Sequence, residues 1–201
     1  TGDYLWIFDD DDVALPNALE RLVAPLEMHR EYDFSFSTFY YTDTAPESHR
    51  IGKIRYESKM PDFDSKGYLV PILEENYLGG AALFARTSCY TAVGPFDETL
   101  FRSQDYEMAV RLVRRFRGIR IPGKPTFHYR QHAVIRGNTS DRFDASLQKK
   151  KWWEYDQVFF RRYYKEFSLT DYLLPGETTE RDRRKAVLQR MVIMASKLLV
   201  D

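Results

Sequence analysis

Tyr4-Leu5-Trp6-Ile7-Phe8-Asp9-Asp10-Asp11-Asp12-Val13 runs five apolar or aromatic residues straight into four carboxylates. The apolar half predicts a short strand covered on both faces, as in a parallel sheet between helices. The aspartates then fall at the strand's carboxyl end, where open α/β sheets hold their ligands. Four adjacent carboxylates repel one another and raise each other's pKa values unless a cation neutralises them. Oxygen ligands at this density suit a hard divalent ion, Mg2+ or Mn2+. A solvated acidic turn is the plain alternative. Asp9 and Asp11, two apart after a strand, can aim both carboxylates at one ion, with Asp12 joining them. An EF-hand is excluded: counted from Asp9, its fifth position is Val13 and its sixth, which must be Gly, is Ala14.

Outward from this stretch, Pro16 suits a first helical residue. Leu19, Leu22, Val23 and Leu26 follow at helical spacing, so residues 16 to 30 predict an amphipathic helix. Strand, acidic turn and helix make one αβ unit. Asp33 to Thr42 alternates and predicts a strand. Thr44 to Lys66 reads as a long surface excursion with a strand at Ile51 to Tyr56. Gly79-Gly80 leads into the apolar run Ala81 to Phe84. Paired glycines serve either a sharp turn or close approach of backbone to a ligand. Thr87 caps a short helix ending at Gly94. Ser103 caps a helix of residues 104 to 117, with Asp105 and Glu107 in its dipole-favoured first turn. Gly118 to Pro122 and Thr126 to His132 predict strands, and Ala133 to Asp141 a mobile loop. Lys149 to Phe167 predicts a helix that Pro175-Gly176 breaks. Thr179 opens a last helix whose stripe of Val187, Leu188, Met191, Val192, Met194, Ala195, Leu198 and Leu199 suits core or a partner contact. Its basic flank of Arg181, Arg183, Arg184 and Lys185 also suits a membrane surface.

The 201 residues allow one sizeable core, and 43% hydrophobic with 15% aromatic residues excludes a disordered chain. Lys+Arg and Asp+Glu both number 30, and this zero net charge argues against a nucleic-acid partner. The lone Cys89 cannot form an internal disulfide. No signal peptide or membrane-length apolar run is visible. These features suit the cytoplasm, or the inner face of a membrane if the C-terminal helices dock there.

Two families resemble parts of this pattern. Asp9-x-Asp11-x-Val13 after an apolar strand resembles the haloacid-dehalogenase-like phosphohydrolases, which implies Asp9 as nucleophile and Asp11 as acid/base. That family's Gly-Asp-x-x-x-Asp motif has no counterpart. More of the chain resembles family 2 glycosyltransferases. Phe8 to Pro16 is similar to their Asp-x-Asp segment. The likeness continues through Gly79-Gly80 with Leu83-Phe84-Ala85-Arg86, then Val93-Gly94-Pro95-Phe96-Asp97-Glu98. Ser103-Gln104-Asp105-Tyr106-Glu107 with Arg111 follows, and Tyr129-Arg130-Gln131-His132 closes it. The order and spacing of these segments over residues 1 to 140 carry the resemblance. It implies a GT-A fold, a mixed sheet with flanking helices, and inverting transfer from a nucleotide-diphosphate sugar to a hydroxyl of a glycan, lipid-linked acceptor or polysaccharide. It also implies that the chain begins inside the domain, since the family's nucleoside-recognising half precedes the Asp-x-Asp segment. A sugar-binding remnant without turnover is a third possibility.

The resemblance implies roles by residue. Asp9, Asp11, Asp12 and His132 would hold Mg2+ or Mn2+, with His128 a rival for the imidazole. Asp9, Asp10, Gly79, Gly80, Arg130 and Arg136 would face the nucleotide-sugar. Asp105 would be the catalytic base. Where the family has Glu-Asp, this chain has Gln104-Asp105, which keeps the base and removes a neighbouring charge. His29 and His49 read as surface residues. Residues 141 to 201 would form a helical extension that covers the sheet, makes a homodimer contact or touches a membrane.

Overall fold

The computed structural model describes residues 2–44, 51–131 and 145–198. They fold as two compact units. One comprises Thr1–Met60, Tyr77–Pro95 and Arg115–Ala145, and the other Pro61–Asn76, Phe96–Arg114 and Ser146–Asp201.

The first unit holds two four-stranded sheets. Strands β1 (Tyr4–Trp6), β2 (Val13–Ala14), β3 (Phe34–Phe36), β4 (Tyr40–Thr44) and β5 (Ile51–Glu57) come first in the chain, with helix α1 (Ala18–Met28) between β2 and β3. After α2 (Phe63–Lys66) and α3 (Leu69–Glu74) of the other unit come β6 (Leu83–Arg86) and α4 (Thr87–Val93). Helix α5 (Gln104–Arg115) precedes β7 (Gly118–Arg120) and β8 (Phe127–Gln131). The sheets run β1-β6-β3-β7 and β2-β8-β4-β5. Only the β3–β7 and β4–β8 pairs among the described residues are parallel, so both sheets are mixed.

Two sequence expectations are corrected here. Among the described residues β1 ends its sheet and pairs antiparallel with β6, and it is not a parallel strand covered on both faces. Tyr4 and Trp6 pack on the cluster of Leu22, Leu26, Phe84 and Ile121, while Leu5, on the opposite side of the pleat, stays 39% exposed. The single strand expected over Asp33–Thr42 is two strands. Ser37, Thr38 and Phe39 carry the chain from one sheet to the other, tied by the Ser37–Thr126 hydroxyl pair at 2.5 Å and by the Thr126 amide on the Thr38 carbonyl at 3.1 Å.

Helix α1 starts at Ala18, not at Pro16, because Asn17 takes the left-handed conformation with φ 61°. Asn tolerates this region better than most residues. Arg21 donates to the carbonyls of Pro122, Lys124 and Pro125 at 3.0, 2.6 and 3.3 Å, which fixes the turn before β8. Gly118 sits opposite Phe34 in the parallel β3–β7 pair. A Cβ there would lie 2.2 Å from the buried Phe34 ring. Gly118→Ala should therefore cost about 1–3 kcal/mol of overpacking strain, read from the urea midpoint.

The second unit is helical. It contains α2, α3, most of α5, α6 (Gln148–Glu166), a 3-10 turn at Leu169–Tyr172 and α7 (Glu180–Leu198). Phe159, Phe160, Tyr163, Phe167 and Tyr172 of α6 and the following turn are buried with Tyr106 of α5. The Tyr163 and Phe167 rings stack at 4.6 Å, and Tyr106 meets Phe159 edge-on at 5.3 Å. Thr179 and Asp182 cap α7: the Thr179 amide donates to Asp182 Oδ2 at 3.0 Å and the Asp182 amide to Thr179 Oγ1 at 3.2 Å. On α7, Ala186, Ile193 and Met194 are buried, whereas Val187, Leu188, Met191 and Val192 are exposed. No helix among the described residues is long and apolar enough to cross a membrane.

Candidate active site

The four aspartates form a tight turn between β1 and β2, closed by the Asp12 amide on the Asp9 carbonyl at 3.2 Å. Aromatic packing supports the chain that leads into it. Trp6 meets Phe8 at 4.7 Å, Phe8 meets Phe127 of β8 at 5.7 Å, and Phe127 stacks on Phe39 at 5.0 Å. Trp6 Nε1 also donates to the Ala81 carbonyl at 2.7 Å, which ties β1 to the Gly79-Gly80 turn. Gly79 has φ 57°, and the Phe39 ring stands 3.3 Å from where its Cβ would be. The turn and the ring already require glycine at 79. Gly80 follows it, half-buried.

The four carboxylates are not equivalent. Asp9 and Asp10 are exposed and Asp11 half-buried, but Asp12 is only 8% exposed. Asp12 Oδ1 accepts the Arg130 amide at 3.0 Å, while Oδ2 is buried without a hydrogen-bond partner among the described residues. Burial, before any other cause, pushes the Asp12 carboxyl up to about 7; the negative charges of Asp11 and Asp9 push the same way, against the Arg130 amide and guanidinium. Beside it, β2 pairs with β8 so that Val13 faces His128. His128 and Arg130 lie on one face of β8 by strand alternation. Each is 7% exposed, and His128 Nδ1 and Arg130 Nε are likewise buried and unpartnered among the described residues. Burial lowers the His128 pKa, so the imidazole is neutral near pH 7. An unsatisfied buried polar atom costs about 1–3 kcal/mol, so each of these three calls for a partner such as a water or an ion.

A hard divalent cation suits this donor chemistry. A carboxylate with one oxygen anchored and the other unsatisfied is a ready oxygen ligand, and two further carboxylates lie close enough to shift its pKa. No three Asp, Glu, His or Cys side chains among the described residues are gathered tightly enough to hold a metal by themselves. His132 and Arg136, which the sequence reading placed at the site, lie outside the described residues.

Asp105 belongs to the second unit. It stands exposed in the first turn of α5, just after Ser103, whose φ of 59° is left-handed. The turn is closed by the Glu107 amide on the Ser103 carbonyl at 2.9 Å. Nearby, burial raises the Asp156 carboxyl, opposed by Ser103 and Lys197 and reinforced by the charge of Asp105. The spacing of Asp9 and Asp11 after a strand put those two first and Asp12 behind them, and nothing in a run of identical aspartates distinguishes the one that β8 buries. Arg21 carries no local signal for its role, since its three carbonyl contacts lie more than 100 residues away.

The mixed sheets and flanking helices are of the GT-A type. Residues 1–136 match the model of glycosyl transferase family 2, and the chain belongs to that family. It is 30% identical over 112 residues to an uncharacterized glycosyltransferase of Methanocaldococcus jannaschii, covering 56% of this chain and 36% of that protein. A crystal structure of S. aureus TarS residues 1–349 matches with a TM-score of 0.52 at 12% identity, over 98% of this chain and 48% of that one. The chain thus spans about a third of the curated relative and about half of the solved structure. Family membership sets aside the phosphohydrolase reading of Asp9.

Proposed function

We propose that this chain carries the metal and acceptor groups of an inverting, metal-dependent glycosyltransferase. The donor is a nucleotide-diphosphate sugar, and the acceptor is a hydroxyl of a glycan, a lipid-linked saccharide or a polysaccharide. The observation that supports this best is the buried, half-satisfied Asp12 carboxylate beside Asp9 and Asp11, in the segment that the family model covers. Asp9, Asp11 and Asp12 would hold Mg2+ or Mn2+, with His132 completing the set. The bound ion supplies Lewis-acid neutralisation of the diphosphate leaving group. Arg130 and Arg136 offer guanidinium donors to phosphate oxygens, and Asp10 and the Gly79-Gly80 backbone border the nucleotide-sugar. Asp105 accepts the proton of the acceptor hydroxyl as its oxygen attacks the anomeric carbon. The bond to the diphosphate oxygen breaks on the opposite face, so the configuration inverts. The helices of residues 145–198 would be the helical extension, and the exposed stripe of α7 its surface for a second copy of the chain or a membrane.

The test is thermal. In the full-length protein, Mn2+ with UDP, GDP or dTDP should raise the melting temperature, and Mn2+ alone should raise it less. Asp11→Ala should abolish the nucleotide-dependent rise. A nucleotide response that persists in Asp11→Ala, or that ignores the metal, counts against the metal assignment. Sugar binding with neither transfer nor nucleotide response would favour a binding module.

A further inference from the structure

The second unit holds a charge network apart from the groups proposed to bind metal, donor and acceptor. Glu107 of α5 is 1% exposed, and a buried carboxylate is tolerated only when fully paired. Its Oε2 accepts from Arg111 Nη2 at 2.7 Å and Nε at 2.9 Å. Its Oε1 accepts from Arg162 Nη2 at 2.7 Å and from the Tyr163 hydroxyl at 2.9 Å. The other arm of Arg162, Nη1, donates to Asp97 Oδ2 at 2.7 Å. Asp97 Oδ1 also accepts the Thr99 amide at 3.0 Å and hydroxyl at 2.6 Å. These bonds, Thr99 first and Arg162 next, hold its carboxyl down at about 2.

One guanidinium therefore bridges the two ends of a short segment. Asp97 opens the loop before α5, and Glu107 lies two residues past Asp105. Between them Ser103 keeps a left-handed φ of 59°, a strained state for a non-glycine residue that persists only where its surroundings fix it. Arg162 sits on α6, beyond residues 1–136 that the family model covers. We propose that Arg162 is a positioning residue for sugar transfer: by bridging Asp97 and Glu107 it fixes the loop-to-helix entry that aims Asp105 at the acceptor hydroxyl. This rests on the assignment of Asp105 as base. Lys cannot replace Arg here, because an ammonium lacks the planar fork that reaches two carboxylates at once.

The experiment is a double-mutant cycle on nucleoside diphosphate release, using the donor that the thermal screen selects. Arg162→Ala should lower kcat about 10–100-fold, the size expected for a misplaced catalytic group, with the donor KM within about twofold. Arg162→Lys should recover little of the loss. In an Asp105→Asn background, Arg162→Ala should cost less than about threefold more, because both changes act through one group. Full additivity, or an unchanged kcat in Arg162→Ala, overturns the proposal while Asp105 keeps its role. An active Asp105→Asn overturns both. If Arg162→Ala does not fold, Asp97→Asn carries the same cycle, with the same outcomes deciding.

Discussion

Asp105→Asn is expected to lower transfer by about 10²–10⁴-fold, the range a positioned general base contributes. The change keeps shape and hydrogen-bonding capacity and removes the ability to take a proton at neutral pH. Donor and metal affinity should stay within about twofold, because the carboxylates proposed to hold the ion lie on the β1–β2 turn and not on α5. The fold should also survive. Asp105 is exposed, and losing its favourable interaction with the helix dipole costs about 1 kcal/mol or less. Steady-state kinetics with calorimetric titration of the nucleotide separates the two effects. Equal loss of transfer and nucleotide affinity would remove Asp105 from the base role. Gln104 is uncharged, so Asp105 stands in this first turn without a carboxylate immediately before it.

Most element positions were legible because local signals set them. The start of α7 was written in Thr179, which the structure pairs with Asp182 as a cap, and the end of α4 in Gly94, whose φ is 87°. Of the α1 stripe read at Leu19, Leu22, Val23 and Leu26, Leu22 and Leu26 are buried and Val23 half-buried, while Leu19 is exposed. What failed was tertiary in origin. Tyr4–Trp6 reads as apolar on both faces, and no local rule says that Leu5 will be left exposed at a sheet edge. Ser37–Phe39 carries no Gly or Pro, yet the chain changes sheets there because Thr126, 89 residues from Ser37, bonds to it. The last helix was half legible. Met194 went inward as its apolar character suggested, while Val187, Leu188, Met191 and Val192 did not. The site was readable as composition, four carboxylates after a strand. It was not readable as energetics, because burial of one carboxylate out of four depends on β8.

That difference gives the last expected result, on Asp12→Asn. In the metal-free protein the folded Asp12 carboxyl is raised to about 7 from an ordinary value of 3.8. The sign follows from linkage. Between these values the folded state keeps a proton that the unfolded state has released, so this residue's favourable contribution is complete below about pH 4 and fades as pH rises toward 7. Above 7 the folded protein must bury an ionised carboxylate with one unsatisfied oxygen. A neutral amide in the same place still accepts the Arg130 amide and is far less costly to bury. At pH 8 without metal, Asp12→Asn should therefore be more stable than wild type, by an amount bounded at about 4 kcal/mol by the pKa difference and on the order of a few kcal/mol in practice. At pH 4 the two should converge. Mn2+ with nucleoside diphosphate should then reverse the order at pH 8, because only the carboxylate gains a cation partner. Urea unfolding at the two pH values, with and without Mn2+ and nucleotide, reads all four states. A variant less stable than wild type in metal-free buffer at pH 8, or one that keeps the full metal response, means that Asp12 is buried for packing alone and is not held in readiness for an ion.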